Sequence, residues 1–553
     1  MRINRRKPAA GIAAAATVAL LAACSSGGSG GDEGSPEEID LSGQMVGAME
    51  DYDVGTTFKA TEPLELGLMY RDHPNYPLKD DWSIFQELEK NQNVTFDVQS
   101  VPLSDWQQKR SLLISSGDAA DLIPSTYVAD VESLTSGGAL LPVSDYLEYL
   151  PHFADKIEKW GLQEDLDRAR QADGKFYVLP GLLETPKPSY SVAIRADLWE
   201  EQGLEDPKTW DEFAEQLAII DEAYPELDYA YSDRWSINGP MEATLQAAAG
   251  NFGTEAGWGY GDGVQWNGSE YEYTGASDGY RQLVEYFHGL VADGLLDPES
   301  ITQDDDPAKA KFTTGKVAAM GSNDQEMVLY RTGLEESGVK GAKVRQIVVP
   351  AGPAGNVMDA TTGGRFESGI AISAKAAERD DFVALLQFVD WLYFSDEGNE
   401  FSKWGVEGET YEVDGDGTRV LADDVDWSGF NPDGTKQLNT DFGYYNGVFN
   451  LAHGTTKELL DSMVRPEVVE FREQMNTKEV AEQGPGIAMD ELQREEASLL
   501  QTNLQDTVMT ATAQFLKGDR SLDEWDAYVA ELEGVGMEQY VQIVNEAAGV
   551  GGS

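Results

Sequence analysis

The chain has 553 residues, with 99 Asp plus Glu against 40 Lys plus Arg and a net charge of −59. Phosphate backbones are held by clustered Lys and Arg, so a charge of this sign and size excludes nucleic acid as a partner and repels anionic membrane surfaces. Hydrophobic residues make up 41% and aromatic residues 10%, enough for large buried cores, and the acids are spread along the chain as on a solvated surface rather than gathered in one tract.

At the start of the chain, Arg2, Arg5, Arg6 and Lys7 precede an apolar run from Ala9 to Leu21, which ends in Leu21-Ala22-Ala23-Cys24. This order resembles a bacterial lipoprotein signal peptide. Small residues before the cysteine let an extended backbone enter a peptidase groove, and the thiol of Cys24 becomes the lipid-bearing first residue of the mature protein. Loss of residues 1–23, with their four basic side chains, would take the net charge from −59 to −63. The remainder is then expected on the outer face of the cell membrane, held by its lipid alone, since no later apolar run reaches the roughly 20 residues of a spanning helix. Cys24 is the single cysteine, so no disulfide can form and the cores alone must hold the fold. Residues 24–60 open with Ser25-Ser26-Gly27-Gly28-Ser29-Gly30-Gly31 and continue acidic and poor in aromatics; they read as a flexible linker.

The body begins with Leu64, Leu66, Leu68 and Tyr70 at period two, and a second alternation follows at Val94, Phe96 and Val98. Both predict strands, with a short helical stretch between them. Ser116-Gly117-Asp118 predicts a helix end, and Asp121-Leu122-Ile123 a third strand. This rhythm predicts an α/β fold with a mainly parallel sheet covered by helices. Thr209 with Glu212 has the form of a capping box before Phe213, Leu217 and Ile220, and Ser521 with Glu524 repeats it before Trp525, Tyr528 and Leu532. Between them, Val344 to Val349 runs into Pro350, Gly369 to Ile372 is a short apolar segment, and Phe382, Leu385, Leu386, Val389 and Tyr393 have helical spacing. Residues from about 455 to 547 read as mostly helical.

Several phrases together resemble the family 1 extracellular solute-binding proteins of ABC importers. They are Ser116-Gly117-Asp118 before Asp121-Leu122-Ile123, Asp173 to Pro180 (DGKFYVLP), and Ile194 to Trp199 (IRADLW) before Thr209-Trp210-Asp211-Glu212-Phe213. Further on come Phe312 to Met320 (FTTGKVAAM) and Trp404 to Tyr411 (WGVEGETY). The last points to the larger subgroup associated with complex sugars and oligouronides. The resemblance implies a two-lobed, periplasmic-binding-protein-like fold of type II with a ligand cleft between the lobes. It places lobe one at 62–183 plus 345–395 and lobe two at 190–340 plus 396–545. Gly181 to Tyr190 then supplies the first crossing, and Pro186 and Pro188 suit an extended strand there. The implied partners are an oligosaccharide and the permease subunits of an ABC importer. The protein is expected to act as a monomer, with no cofactor, no metal and no catalytic residue.

A sugar cleft needs flat aromatic faces for CH surfaces and polar groups for hydroxyls. Tyr70, Asp72 and His73 close the first strand and Tyr127 follows the third, at the strand ends where open α/β sheets bind ligands. Trp235, Asn238, Trp258 and Tyr260 occupy Gly-rich stretches of the second lobe, and Trp404, Glu407 and Tyr411 belong to the subgroup phrase. Trp210, Trp391 and Trp525 sit on helical faces and are expected in the core. Asp414-Gly415-Asp416-Gly417 reads as a hairpin turn, because a calcium loop needs more oxygen ligands at fixed spacing. The Asp304-Asp305-Asp306 run reads as a solvated loop. Two other readings remain open from residues alone: a secreted glycoside hydrolase, which needs two carboxyl groups at a defined separation, and a receptor for peptides or polyamines, which the negative field would attract.

Overall fold

The computed structural model describes residues 39–449 and 454–551. The signal-like segment 1–23, Cys24, the first part of the expected linker and His453 lie outside them.

Nine strands form two sheets: Leu64–Asp72 (β1), Val94–Pro102 (β2), Leu122–Thr126 (β3), Val178–Leu182 (β4), Ser191–Arg195 (β5), Tyr229–Tyr231 (β6), Val317–Ser322 (β7), Val344–Gln346 (β8) and Phe366–Ile372 (β9). The first sheet has the order β2-β1-β3-β9-β4 and the second β8-β5-β7-β6. The predicted alternation is seen directly: Leu64, Leu66 and Leu68 are buried, and β1 pairs in parallel with β2 and β3. β9 runs antiparallel to β3 and β4, so the sheet is mixed. The helix Phe382–Phe394 is buried along its whole length. Trp210, Trp391 and Trp525 are core residues as expected. Thr209 caps its helix by accepting from the Glu212 amide at 3.1 Å, but the Glu212 carboxylate turns to the Lys208 amide, so the box is half made.

The lobe boundaries differ from the expected ones in two places. Val344–Gln346 pairs antiparallel with Ser191–Arg195, so this segment belongs to lobe two. The reason is burial: Val344, Ile347 and Val349 place their side chains in lobe-two cores. Residues 396–449, expected in lobe two, pack on lobe one. There Trp82 Nε1 donates to the Thr440 carbonyl at 2.9 Å, Asn446 Nδ2 donates to the Tyr70 hydroxyl at 3.0 Å, and the Phe449 ring meets Phe85 at 5.5 Å. The helices Glu491–Lys517, Trp525–Gly534 and Met537–Ala547 complete the lobe-two core.

Residues 183–190, 360–365 and 454–457 run between the lobes. Leu183 N–H donates to the Arg365 carbonyl at 2.9 Å, Thr455 N–H to Leu182 at 2.9 Å and Glu184 N–H to Thr455 at 3.1 Å.

The expected linker is also corrected. From Leu41 onward it lies against lobe one, with Leu41, Ala48, Phe58 and Ala60 buried. Asp390, wholly buried, accepts from the Tyr52 hydroxyl at 2.9 Å and from the His152 amide at 3.0 Å, and faces His152 Nδ1 at 2.7 Å. His152 Nε2 accepts the Gly55 amide at 2.9 Å. A few apolar residues at fitting positions are enough to dock a segment whose average composition is acidic. Phe58 sits against Phe388 with ring centroids 5.9 Å apart. Phe58→Ala is expected to lower the unfolding free energy by about 3 kcal/mol, the usual cost of emptying a buried phenylalanine site, whereas Val54→Ala, at a 46% exposed position, leaves it unchanged. Urea unfolding measures both, and an unaltered midpoint for Phe58→Ala would show that the segment adds nothing to the core.

Candidate functional site

A cavity of about 530 Å³ lies where the crossing segments meet the ends of the central strands. Tyr127, just past Leu122–Thr126, stands on its lobe-one side, and Asn323 and Asp324, just past Val317–Ser322, on its lobe-two side. Ser189 and Tyr190 come from the first crossing, and Glu367 from the start of Phe366–Ile372. Each position has a local cause. The Tyr127 amide donates to Asp130 at 2.8 Å, and Asp130 is held by the buried Arg110 at 2.9 Å. Asn323 Oδ1 accepts from the Glu326 amide at 3.0 Å and so caps the helix Asp324–Glu336 beside the cavity.

One group of aromatic rings is built around Tyr190. Tyr190 meets Trp235 and Trp258 edge-on at centroid distances of 5.5 and 5.1 Å, and the two tryptophans lie 5.8 Å apart. Trp258 is 36% exposed. It is carried by a turn in which Gly257 has φ +56° and sits so close to the helix Glu242–Ala249 that a Cβ would meet the Glu242 carbonyl at 1.8 Å; only glycine fits there. Trp235 itself has φ +62°, an uncommon backbone for a bulky residue. Arg234 holds it in place: its guanidinium lies 4.3 Å from the Trp235 ring and makes paired 2.6 Å bonds to Asp305. Arg234 also donates to the Tyr330 hydroxyl at 3.0 Å and pairs with Glu326. The acidic run at 304–306 is therefore no plain solvated loop, since Asp305 opens a helix and anchors this arginine. A second aromatic pair, Trp427 and Tyr445, lines the cavity with centroids 4.1 Å apart. Of the basic groups that line the cavity, Lys187 pairs with Glu367 at 2.7 Å and Arg472 with Asp324 at 3.6 Å, while Arg465 donates to the Ser428 carbonyl at 3.3 Å. Burial pushes the Tyr190 hydroxyl up, so it stays a neutral hydrogen-bonding group.

Of the residues expected from sequence, Tyr127 lines this cavity, and Trp235 and Trp258 pack edge-on against its Tyr190. The others stand elsewhere. Tyr70 is fully buried and holds Asn446 and the Tyr76 carbonyl. Asp72 accepts from the Leu78 amide at 3.1 Å, which closes its loop, and His73 stacks on Tyr76 at 4.5 Å. Asn238 is exposed in a turn whose amides are held by Glu242. Tyr260 turns into the lobe-two core against Tyr280 at 5.9 Å. Trp404 and Tyr411 are buried against each other at 5.6 Å. Their phrase is a turn device: Thr410 Oγ1 donates to the Trp404 carbonyl at 2.6 Å and accepts the Val406 amide at 2.9 Å, while Glu407 is exposed on the turn. Asp414 to Thr418 is the hairpin turn expected, between Tyr411–Val413 and Arg419–Leu421. Sequence reasoning missed Tyr190, Glu367, Asn323, Trp427 and Tyr445. The signal available for Tyr190 was its place at the end of the crossing segment; the others join the cleft only through tertiary packing.

Residues 76–399 match the sequence model of the bacterial extracellular solute-binding proteins. The chain is 24% identical over 523 residues to the fructooligosaccharide ABC transporter substrate-binding protein FusA of Streptococcus pneumoniae serotype 4, across 88% of this chain and 91% of that one. It is 20% identical over 473 residues to the polygalacturonan/rhamnogalacturonan-binding protein YtcQ of Bacillus subtilis, across 84% and 87%. Among solved structures, an HMO-binding, ABC-transporter-associated solute-binding protein from Bifidobacterium longum infantis superposes with a TM-score of 0.69 at 18% identity, covering 88% of this chain and 99% of that one. The shared architecture is the two-lobed, periplasmic-binding-protein-like fold.

Behind Thr361 and Thr362, which line the cavity, Asp359 is buried and accepts from the Thr362 amide at 2.8 Å, and Glu255 accepts from the Ala360 amide at 3.2 Å. Burial, with the negative charge of Asp359 beside it, pushes the Glu255 carboxyl up to about 8, and burial raises Asp359 as well. The folded protein thus keeps a proton that the unfolded chain loses above its ordinary carboxylate range, so stability falls as pH rises toward and through 8. The melting temperature is expected to be higher at pH 6 than at pH 9, and Glu255→Gln is expected to flatten that fall. An equally steep fall in the variant, followed by differential scanning calorimetry, would refute the assignment.

Proposed function

Since the chain belongs to the family of bacterial extracellular solute-binding proteins, we propose that it binds an oligosaccharide between its lobes and delivers it to the permease of an ABC importer. The observation that carries this reading is the cluster of Tyr190, Trp235 and Trp258 beside a cavity that also offers Asn323, Gln246 and the matched Lys187–Glu367 pair. Apolar CH faces of sugars stack on such rings, and their hydroxyls use neutral and paired polar groups as donors and acceptors at once. Relatives named for fructooligosaccharide and for HMO binding support the same class. Members of this family are binding components of transporters and not enzymes, so the hydrolase reading falls away. No feature of the cavity favours a peptide or a polyamine.

Ligand binding shifts an open–closed equilibrium about the crossing segments, and the permease reads the closed form. The body works as a monomer outside the cell, tethered by lipid on Cys24, whose Leu-Ala-Ala-Cys context supports the anchor. Among the described residues no helix is long and apolar enough to cross a membrane.

Binding of neutral oligosaccharides, measured by isothermal titration calorimetry on the protein without residues 1–24, tests the proposal. Trp258→Ala and Trp235→Ala should each weaken binding by about tenfold or more, the scale of a lost aromatic stacking contact, with the ligand recovered uncleaved. Absence of binding by every neutral oligosaccharide would reject the reading.

A further inference from the structure

A second cavity, of about 350 Å³, lies beside the first and takes its walls from both lobes. Glu132 and Arg168 belong to lobe one, while Glu482 to Ile487 of lobe two form a strap along it. The strap is fixed to its own lobe: Tyr271 Oη donates to the Pro485 carbonyl at 2.6 Å, and Ile487 packs on the lobe-two core. Its other side meets lobe one, where Arg168 Nε donates to Gln483 Oε1 at 3.1 Å. Two glycines set the fit. A Cβ on Gly484 would stand 2.6 Å from the Trp266 ring and the Tyr271 hydroxyl, and one on Gly486 would stand 2.7 Å from the Arg168 carbonyl oxygen. Interiors are packed too closely to absorb such an approach, so the strap fills the space between the lobes with backbone alone. Neither glycine has a positive φ, so the space and not the backbone conformation requires them. A further contact between the lobes is made by the short helix Glu132–Gly137, which reaches the helix Glu491–Lys517.

We propose that the strap is a closing latch: it holds the lobes in the arrangement in which Tyr127 of one and Asn323 of the other wall a single cleft, whether or not a ligand is bound. The inference rests on the open–closed reading of ligand capture and adds what sets its resting point. Gln483, Gly484, Gly486 and Arg168 do not line the first cavity, so the latch acts on the balance between lobe arrangements and not on ligand contacts. Opening draws the Arg168 carbonyl away from Gly486 and breaks the bond to Gln483, and neither change involves the cleft. The apparent affinity for a ligand is the intrinsic affinity multiplied by the fraction of molecules already competent to bind. The latch therefore scales every affinity by one factor and leaves the choice among ligands to the cleft.

Gly486→Ala tests the latch, because the three atoms nearest the added methyl group are all main-chain atoms of Arg168; the substitution collides with lobe one when the lobes meet and is tolerated when they part. In small-angle scattering of the ligand-free protein, the variant should show a larger radius of gyration than the wild type, with an unchanged circular dichroism spectrum. In calorimetric titration, its affinity for those fructo-, malto- and galacto-oligosaccharides that bind the wild type should fall by one common factor, about fivefold or more for a closed fraction that drops from most molecules to a minority. Gln483→Ala, which removes a bond without adding bulk, should shift both readings the same way by less, and it carries the test should Gly486→Ala fail to fold. An unchanged radius, tighter binding, or losses that differ from sugar to sugar would overturn the latch. Failure of every sugar to bind the wild type would overturn the oligosaccharide reading alone, with the scattering comparison still deciding the latch.

Discussion

Among the described residues, the crossing segments are tied together by backbone hydrogen bonds among Leu182, Leu183, Glu184, Arg365 and Thr455. Each lobe buries its own apolar surface independently: lobe two around Val192, Phe213 and Tyr280, and one part of lobe one around Met69, Ile123 and Ala371. Beside the crossing, Leu183 packs against Leu460 in a small cluster separate from both cores. A narrow, hydrogen-bonded crossing between two self-sufficient cores permits rotation of one against the other at low cost. The cleft has to lie beside this crossing, because only there do residues of both lobes stay within reach of one ligand through the motion.

The aromatic platform next to the crossing is held against a backbone preference. A non-glycine residue in the left-handed region costs on the order of 1–3 kcal/mol, and Trp235 sits there at φ +62°. The cation–π contact with Arg234 contributes roughly 0.5–2 kcal/mol, too little to settle the matter by itself. What tips the balance is that Arg234 cannot move: Asp305, Glu326 and Tyr330 take its donors, and the Tyr330 hydroxyl in turn donates to the Gly321 carbonyl at 2.6 Å, on the strand Val317–Ser322. The ring orientation is thus set by the central sheet of lobe two, through an arginine that touches no solvent.

Local patterns in the sequence carried the strands and most helices, because period-two burial at Leu64, Leu66 and Leu68 and helical spacing from Phe382 to Tyr393 depend only on neighbours along the chain. Lobe membership was less legible. Val344–Gln346 looks like any short apolar strand, and its partner Ser191–Arg195 lies some 150 residues away in the chain. The docked segment 41–60 misled by its average, since Phe58 and Tyr52 decide its fate and the acids around them do not. Trp235 and Trp258, which pack on the cavity residue Tyr190, are aromatics in Gly-rich loops, while Trp404 and Tyr411 have the same outward marks and are buried. The difference lies in Thr410, whose hydroxyl ties the turn so that the tryptophan faces Ser462 and the core. No one-dimensional pattern distinguishes an aromatic that faces a cleft from one that closes a turn.

The acidity of the chain acquires a specific meaning at the cleft. In a protein with a net charge of −59, an anionic ligand needs a concentration of unmatched base to overcome the surrounding field. Two of the three basic groups that line the first cavity face a carboxylate, Lys187 that of Glu367 and Arg472 that of Asp324, while Arg465 donates to the Ser428 carbonyl. Pairing of this kind leaves stacking and neutral hydrogen bonding as the main terms of recognition, and both fall only weakly with salt, in contrast to exposed ion pairs.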